Sequence, residues 1–166
     1  MAKPIVIEES HRLLDVHTLQ GVQFGIRQSA FKRLERLSGF LFQPVKGEHQ
    51  GLVWQYSDKS GRYHGQLLDV TALLMEECVT LPSDGTLYLS RVKGQSWGLL
   101  FHTLPQTLDL GVVKHKPVIL EADESLPAQI PAAWVTQVIR RRWRHIYILD
   151  AQALIEQLMR WSAGKS

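Results

Sequence analysis

Leu67-Leu68-Asp69-Val70-Thr71-Ala72-Leu73-Leu74 returns near the other end of the chain as Ile148-Leu149-Asp150-Ala151-Gln152-Ala153-Leu154-Ile155, 81 positions later (150 − 69). In each copy an apolar run suited to a buried strand ends at an aspartate. The aspartate oxygen can accept hydrogen bonds from the free backbone N–H groups of a following helix. Both copies therefore read as strand, cap, helix. A second pair, Gly21-Val22-Gln23-Phe24-Gly25-Ile26 and Gly94-Gln95-Ser96-Trp97-Gly98-Leu99, repeats at an offset of 73 (98 − 25). In both, a turn glycine opens a strand and an aromatic residue precedes an inner glycine. The unequal offsets place an insertion between the halves. Two copies point to paired subdomains, because a solenoid needs at least three repeats.

Composition sets broad limits. A chain of 166 residues suits one domain or two small ones, and 45% hydrophobic content suffices for a core. The net charge of +3 argues only weakly against nucleic-acid binding, since a local patch can still hold phosphate. Cys78 is the single cysteine, so no internal disulfide forms and nothing points to an oxidising compartment. The apolar Pro4-Ile5-Val6-Ile7 stops at Glu8-Glu9, short of a secretory segment. No apolar run approaches the roughly 20 residues of a membrane helix. The expectation is a soluble, cytoplasmic protein.

Along the chain, residues 13–19 and 22–26 form a hairpin about Gln20-Gly21, and Gly25 inside the second strand marks a bulge or the close approach of another backbone. Phe31, Leu34 and Leu37, spaced by three, favour a helix, with a twisted edge strand as the alternative. A loop over 44–50 leads to a strand over 51–56, a turn cluster at Ser57-Asp58-Lys59-Ser60-Gly61 and a return through 62–66 into the first repeat. The connector 78–85 divides the halves. The second half opens with strands over 87–92 and 95–101 about Lys93-Gly94. Four prolines make 102–131 irregular, with short strands near 112–113 and 118–120. Residues 135–139 and 146–149 form a last hairpin before an amphipathic helix bearing Leu154, Ile155, Leu158 and Trp161 on one face. The fold is expected to be mainly β. It would consist of two small barrels, subdomain 1 over about 13–80 and subdomain 2 over about 86–150, with a C-terminal helix over about 151–162.

Catalysis has little support. Gly164-Lys165-Ser166 lacks the earlier glycine of a phosphate loop, Met159 standing in its place. The seven histidines show no metal-binding spacing, and no cofactor is expected. Asp69 and Asp150 can be imagined as paired catalytic carboxylates, but their place at strand ends favours helix capping. Arg140-Arg141-Arg142-Trp143-Arg144 offers cations beside an aromatic ring, a combination that serves single-stranded nucleic acid. A solvated hairpin tip is the plainer reading of that run.

The order of these elements resembles the CheW-like domain, the adaptor module of bacterial chemotaxis. Phe24-Gly25-Ile26, Gly51-Leu52-Val53, Gly65-Gln66-Leu67-Leu68-Asp69-Val70, Trp97-Gly98-Leu99 and Ile148-Leu149-Asp150 fall where that family has its strands. The resemblance implies two five-stranded barrels packed on a shared core. It also implies a non-enzymatic adaptor joining the regulatory domain of a CheA-like histidine kinase to the cytoplasmic tip of a chemoreceptor; the alternative is a small β-barrel that binds single-stranded nucleic acid through the Arg140–Arg144 hairpin. Partner contacts would fall at Phe31, Gly51, Lys59, Gly61, Arg62 and Gly98. Two departures stand out. The family's Asn-Leu-Arg-Gly hairpin is replaced by a longer one with no arginine before Gly61, and Gln66 stands where the family has proline. A divergent adaptor, for example in a pilus-motility array, is implied.

Overall fold

The computed structural model describes residues 13–28, 31–75, 84–109, 118–120, 130–141 and 144–164. Its strands are β1 (Leu13–Leu19), β2 (Val22–Arg27), β3 (Lys32–Leu34), β4 (Phe40–Pro44), β5 (Val53–Asp58) and β6 (His64–Asp69), then β7 (Thr86–Val92), β8 (Gln95–Phe101), β9 (Gln106–Asp109), β10 (Val118–Leu120), β11 (Val135–Arg141) and β12 (Arg144–Leu149). Helix α1 (Val70–Met75) follows β6, and α2 (Ala151–Ser162) follows β12. The protein is mainly β, as the sequence implies. Its first sheet has the order β10-β11-β12-β2-β1-β9 and its second β3-β7-β8-β6-β5-β4. Among the described residues each has six strands rather than five, because short strands at the margins, β3 and β9 among them, extend the pairing.

Residue alternation gives each sheet two buried faces. Phe24, Ile26, Val138 and Tyr147 from the first sheet meet Leu68, Tyr88, Trp97, Leu99 and Phe101 from the second in a shared core, to which α2 adds Leu154, Ile155 and Leu158. Behind the second sheet lies a separate cluster of Leu37, Tyr56, Leu67, Leu87, Leu89 and Leu100. Behind the first lies another, Leu14, Val16, Ile139, Ile146 and Ile148. Each sheet thus covers a private cluster while sharing a third.

The internal repeat is present in three dimensions. Gln20-Gly21 and Lys93-Gly94 both adopt the left-handed backbone of a tight hairpin, with φ of 49° and 81° in one and 52° and 79° in the other. Asp69 Oδ1 accepts from the Ala72 N–H at 3.0 Å, and Asp150 Oδ1 accepts from the Ala153 N–H at 3.0 Å. The expected capping is therefore found twice. Even the backbone approach recurs: Asp69 N–H donates to Leu52 O at 2.8 Å and Asp150 N–H to Trp134 O at 2.7 Å.

The halves exchange strands. Leu67 on β6 pairs in parallel with Gly98 on β8, and its repeat Ile148 on β12 pairs in parallel with Gly25 on β2. Each aspartate strand lies beside the glycine strand of the other half. The glycines keep the private clusters tight. A Cβ on Gly98 would stand 2.9 Å from Leu87 Cδ1, and one on Gly25 would stand 3.0 Å from both methyls of Leu14. What approaches Gly25 closely is the Leu14 side chain, not the backbone that was expected.

Elsewhere the chain departs from its sequence reading. The helix favoured by Phe31, Leu34 and Leu37 is the alternative edge strand, β3, followed by a 3-10 turn at Leu37–Gly39. Pairing of Lys32, Arg33 and Leu34 with Leu89, Tyr88 and Leu87 outweighs the helical spacing. The strand expected from residue 51 begins at Val53, because Gly51 sits in a turn with φ of 91° whose Leu52 and Val53 N–H groups both donate to His49 O. Strands β4 and β9 were not expected. Cys78 and the expected strand at 112–113 lie outside the described residues.

Candidate functional site

The turn between β5 and β6 is built by one carboxylate. Asp58 Oδ1 accepts from the Tyr63 N–H at 3.1 Å and Oδ2 from the Ser60 hydroxyl at 2.6 Å. Gly61, with φ of 72°, supplies the left-handed residue the turn requires, and its N–H donates to Asp58 O at 3.1 Å. These bonds, with the Ser60 hydroxyl first among them, hold the Asp58 carboxyl below its usual range. The turn presents Lys59, Gly61 and Arg62 to solvent together.

Beside it opens a groove of about 610 Å³ at the end of the second sheet. Lys32 from β3, Arg62 from the turn, His64 from β6 and Arg91 from β7 line it, with Ser90 and Ser96 between them. Among the described residues no acidic side chain lines it. Tyr63 marks the rim. Lys32 Nζ lies 4.7 Å from the centre of its ring and donates to its hydroxyl, and the Arg62 guanidinium lies 5.5 Å from the same ring. The Lys32 hydrogen bond, aided by the fields of Arg62 and Lys32, draws the Tyr63 phenol below its ordinary pKa. A local positive potential produces that direction.

The other residues named from sequence do not join this cluster. Phe31 is half-buried, its ring edge-on to Tyr88 with centroids 6.0 Å apart. Gly51 lies in the turn before β5, where its carbonyl accepts from Trp54 Nε1 at 3.3 Å. Gly98 is buried in the sheet and serves packing. Lys32, His64 and Arg91 were missed by the sequence reading. They come from three strands with no shared motif, and only the sheet topology brings them together.

Two largely buried polar groups lie away from this groove. His17 Nδ1 lies 2.7 Å from Thr103 Oγ1, and His17 Nε2 lies 2.7 Å from the Tyr88 hydroxyl. Asp15 and His17 are fully enclosed. Burial is the main cause that lowers the His17 pKa from 6.5 to about 4. Burial also raises the Tyr88 phenol, and the Asp15 charge raises it further. In the second group Asp69, while capping α1, holds His102 Nε2 at 2.7 Å from its other oxygen. The 3.0 Å bond from His102 N–H to Thr71 Oγ1 ties that loop to α1. Both groups join neighbouring elements of the fold. Among the described residues no group of three His, Cys, Asp or Glu is placed to hold a metal, and no helix is long and apolar enough to cross a membrane. In the arginine run, Arg140 and Arg144 are exposed on the β11–β12 hairpin, and residues 142–143 lie outside the described residues.

No protein-family model matches the sequence, and no curated protein matches it. Solved structures do. The scaffolding protein TtCheW from Thermoanaerobacter tengcongensis is similar over 91% of both chains, with a TM-score of 0.58 and 12% sequence identity. The likeness at this identity is one of fold, and the protein has a CheW-like fold.

Proposed function

We propose that the protein is a non-catalytic cytoplasmic adaptor that couples a CheA-like histidine kinase to a chemoreceptor in a chemotaxis or related sensory array. The observation that carries this reading is the scaffold-type fold extending over nearly the whole chain. Two surface features agree with it. Strand β4 ends the second sheet, and its Leu41 is 60% exposed, which suits pairing with a strand edge of another β domain. The β5–β6 turn puts Lys59, Gly61 and Arg62 forward beside the groove, where the sequence resemblance implies the family's arginine hairpin. The longer turn and the absence of arginine before Gly61 favour a divergent array, such as one serving pilus motility.

The test is capture from lysate of the source organism on the immobilised protein, with bound proteins identified by mass spectrometry. Recovery of a histidine kinase or receptor that is lost with Leu41→Asp or Arg62→Glu, at unchanged melting temperature, is the expected result. Recovery of salt-labile nucleic acid and no signalling protein would refute the adaptor reading.

A further inference from the structure

We infer that the groove of the second sheet is a docking site for an acidic segment of a partner protein, its carboxylates received by Lys32, Arg62, His64 and Arg91. The inference rests on the adaptor reading for the partner being a protein. Charge complementarity carries it. The four side chains reach one groove from three separate parts of the chain, and among the described residues no carboxylate lines it. Among the described residues Lys32, Arg62 and Arg91 form no ion pair with any Asp or Glu. Asp58, the nearby acid whose charge acts on Tyr63, directs its oxygens to Ser60 and to the Tyr63 N–H. Cations gathered without a carboxylate paired to them repel one another, and an incoming anion relieves that repulsion.

The lining favours carboxylates over nucleic acid. Single-stranded nucleic acid is held by free aromatic faces on which bases stack. Here the Tyr63 ring already carries Lys32 and Arg62, and Trp97 is buried with its ring in the shared core. Guanidinium, ammonium and hydroxyl donors remain, and these are the partners of carboxylates.

The full chain, isotopically labelled for NMR, is titrated with a decapeptide alternating Glu and Ser, with its Gln-Ser counterpart and with an oligothymidylate. The expected result is binding of the Glu-Ser peptide alone, with amide shifts concentrated at Ser90, Gly94 and Gln95. Lys32→Glu and Arg91→Glu should each weaken it about tenfold, whereas Lys46→Glu, an equal charge change outside the groove, should not. Both groove side chains are exposed, so the variants keep the wild-type melt. Absence of those shifts, an equal loss in Lys46→Glu, or displacement of the peptide by oligothymidylate would overturn the inference. If the protein captures a kinase or receptor yet ignores the peptide, the groove assignment fails and the adaptor reading stands. Peptide binding at the groove by a protein that captures neither leaves the groove and removes the adaptor.

Discussion

Tyr88 on β7 donates its hydroxyl hydrogen to Asp15 Oδ2 on β1 at 2.8 Å, joining the two sheets through their shared core. With that hydrogen committed, the Tyr88 oxygen accepts from His17 Nε2–H, and His17 Nδ1 accepts from the Thr103 hydroxyl. Arg33 closes the chain, its Nη1 2.9 Å from Asp15 Oδ1. With His17 neutral and its proton on Nε2, every donor of this network has an acceptor.

Tyr88→Phe removes both the donor to Asp15 and the acceptor for His17 while keeping the ring. Two enclosed polar groups then lose a partner, and the expected loss is about 2 kcal/mol. Chemical denaturation measures it, and a loss no larger than that of an exposed substitution would show that the network contributes no net stability.

Acid should act through His17. Its folded pKa of about 4 lies below the 6.5 of the free side chain, so between these values the unfolded chain binds a proton that the folded chain refuses. Stability present above pH 6.5 is therefore lost as pH falls towards 4, by about 1 kcal/mol per pH unit. Urea unfolding at a series of pH values reads the slope. His17→Gln should flatten it in this window, and an unchanged slope would assign the acid sensitivity to other groups.

The two caps differ in what else they hold. Asp150→Ala should cost about 1 kcal/mol, the worth of one cap. Asp69→Ala should cost about 2 kcal/mol more, because enclosed His102 also loses its partner. Equal losses in thermal unfolding would mean that the His102 bond adds nothing.

Glycine substitutions should rank by what the new methyl meets. A Cβ on Gly65 would lie 2.3 Å from the Ser96 carbonyl oxygen, part of the backbone, whereas on Gly98 it meets the movable Leu87 methyl at 2.9 Å. Gly98→Ala is expected to lose about 1–3 kcal/mol and Gly65→Ala more. A Gly98→Ala protein of wild-type stability that no longer captures its partner would return Gly98 to the surface role the family resemblance implied.

Much of the fold was legible because glycines and aspartates impose local geometry. Gln20-Gly21, Lys93-Gly94 and the Asp69 and Asp150 caps needed no tertiary information to be read. Strand β3 was harder, since Phe31, Leu34 and Leu37 follow a helical spacing that only pairing with β7 overrides. Strand β4 hid for a related reason: Phe40 and Phe42 point into the second sheet's cluster while exposed Leu41 and Gln43 interrupt them. Half of the site was visible in the turn residues Lys59, Gly61 and Arg62. The other half was not, because Lys32, His64 and Arg91 become neighbours only through the order β3-β7-β8-β6.

The exchange of strands between the halves bears on cleavage. A half-length chain holding β1 to α1 would leave the parallel partners of β2 and β6 unmade, since both come from the other half. Nicking the backbone therefore does not separate the sheets, and fragments cut near residue 81 should be recoverable as one particle only when mixed.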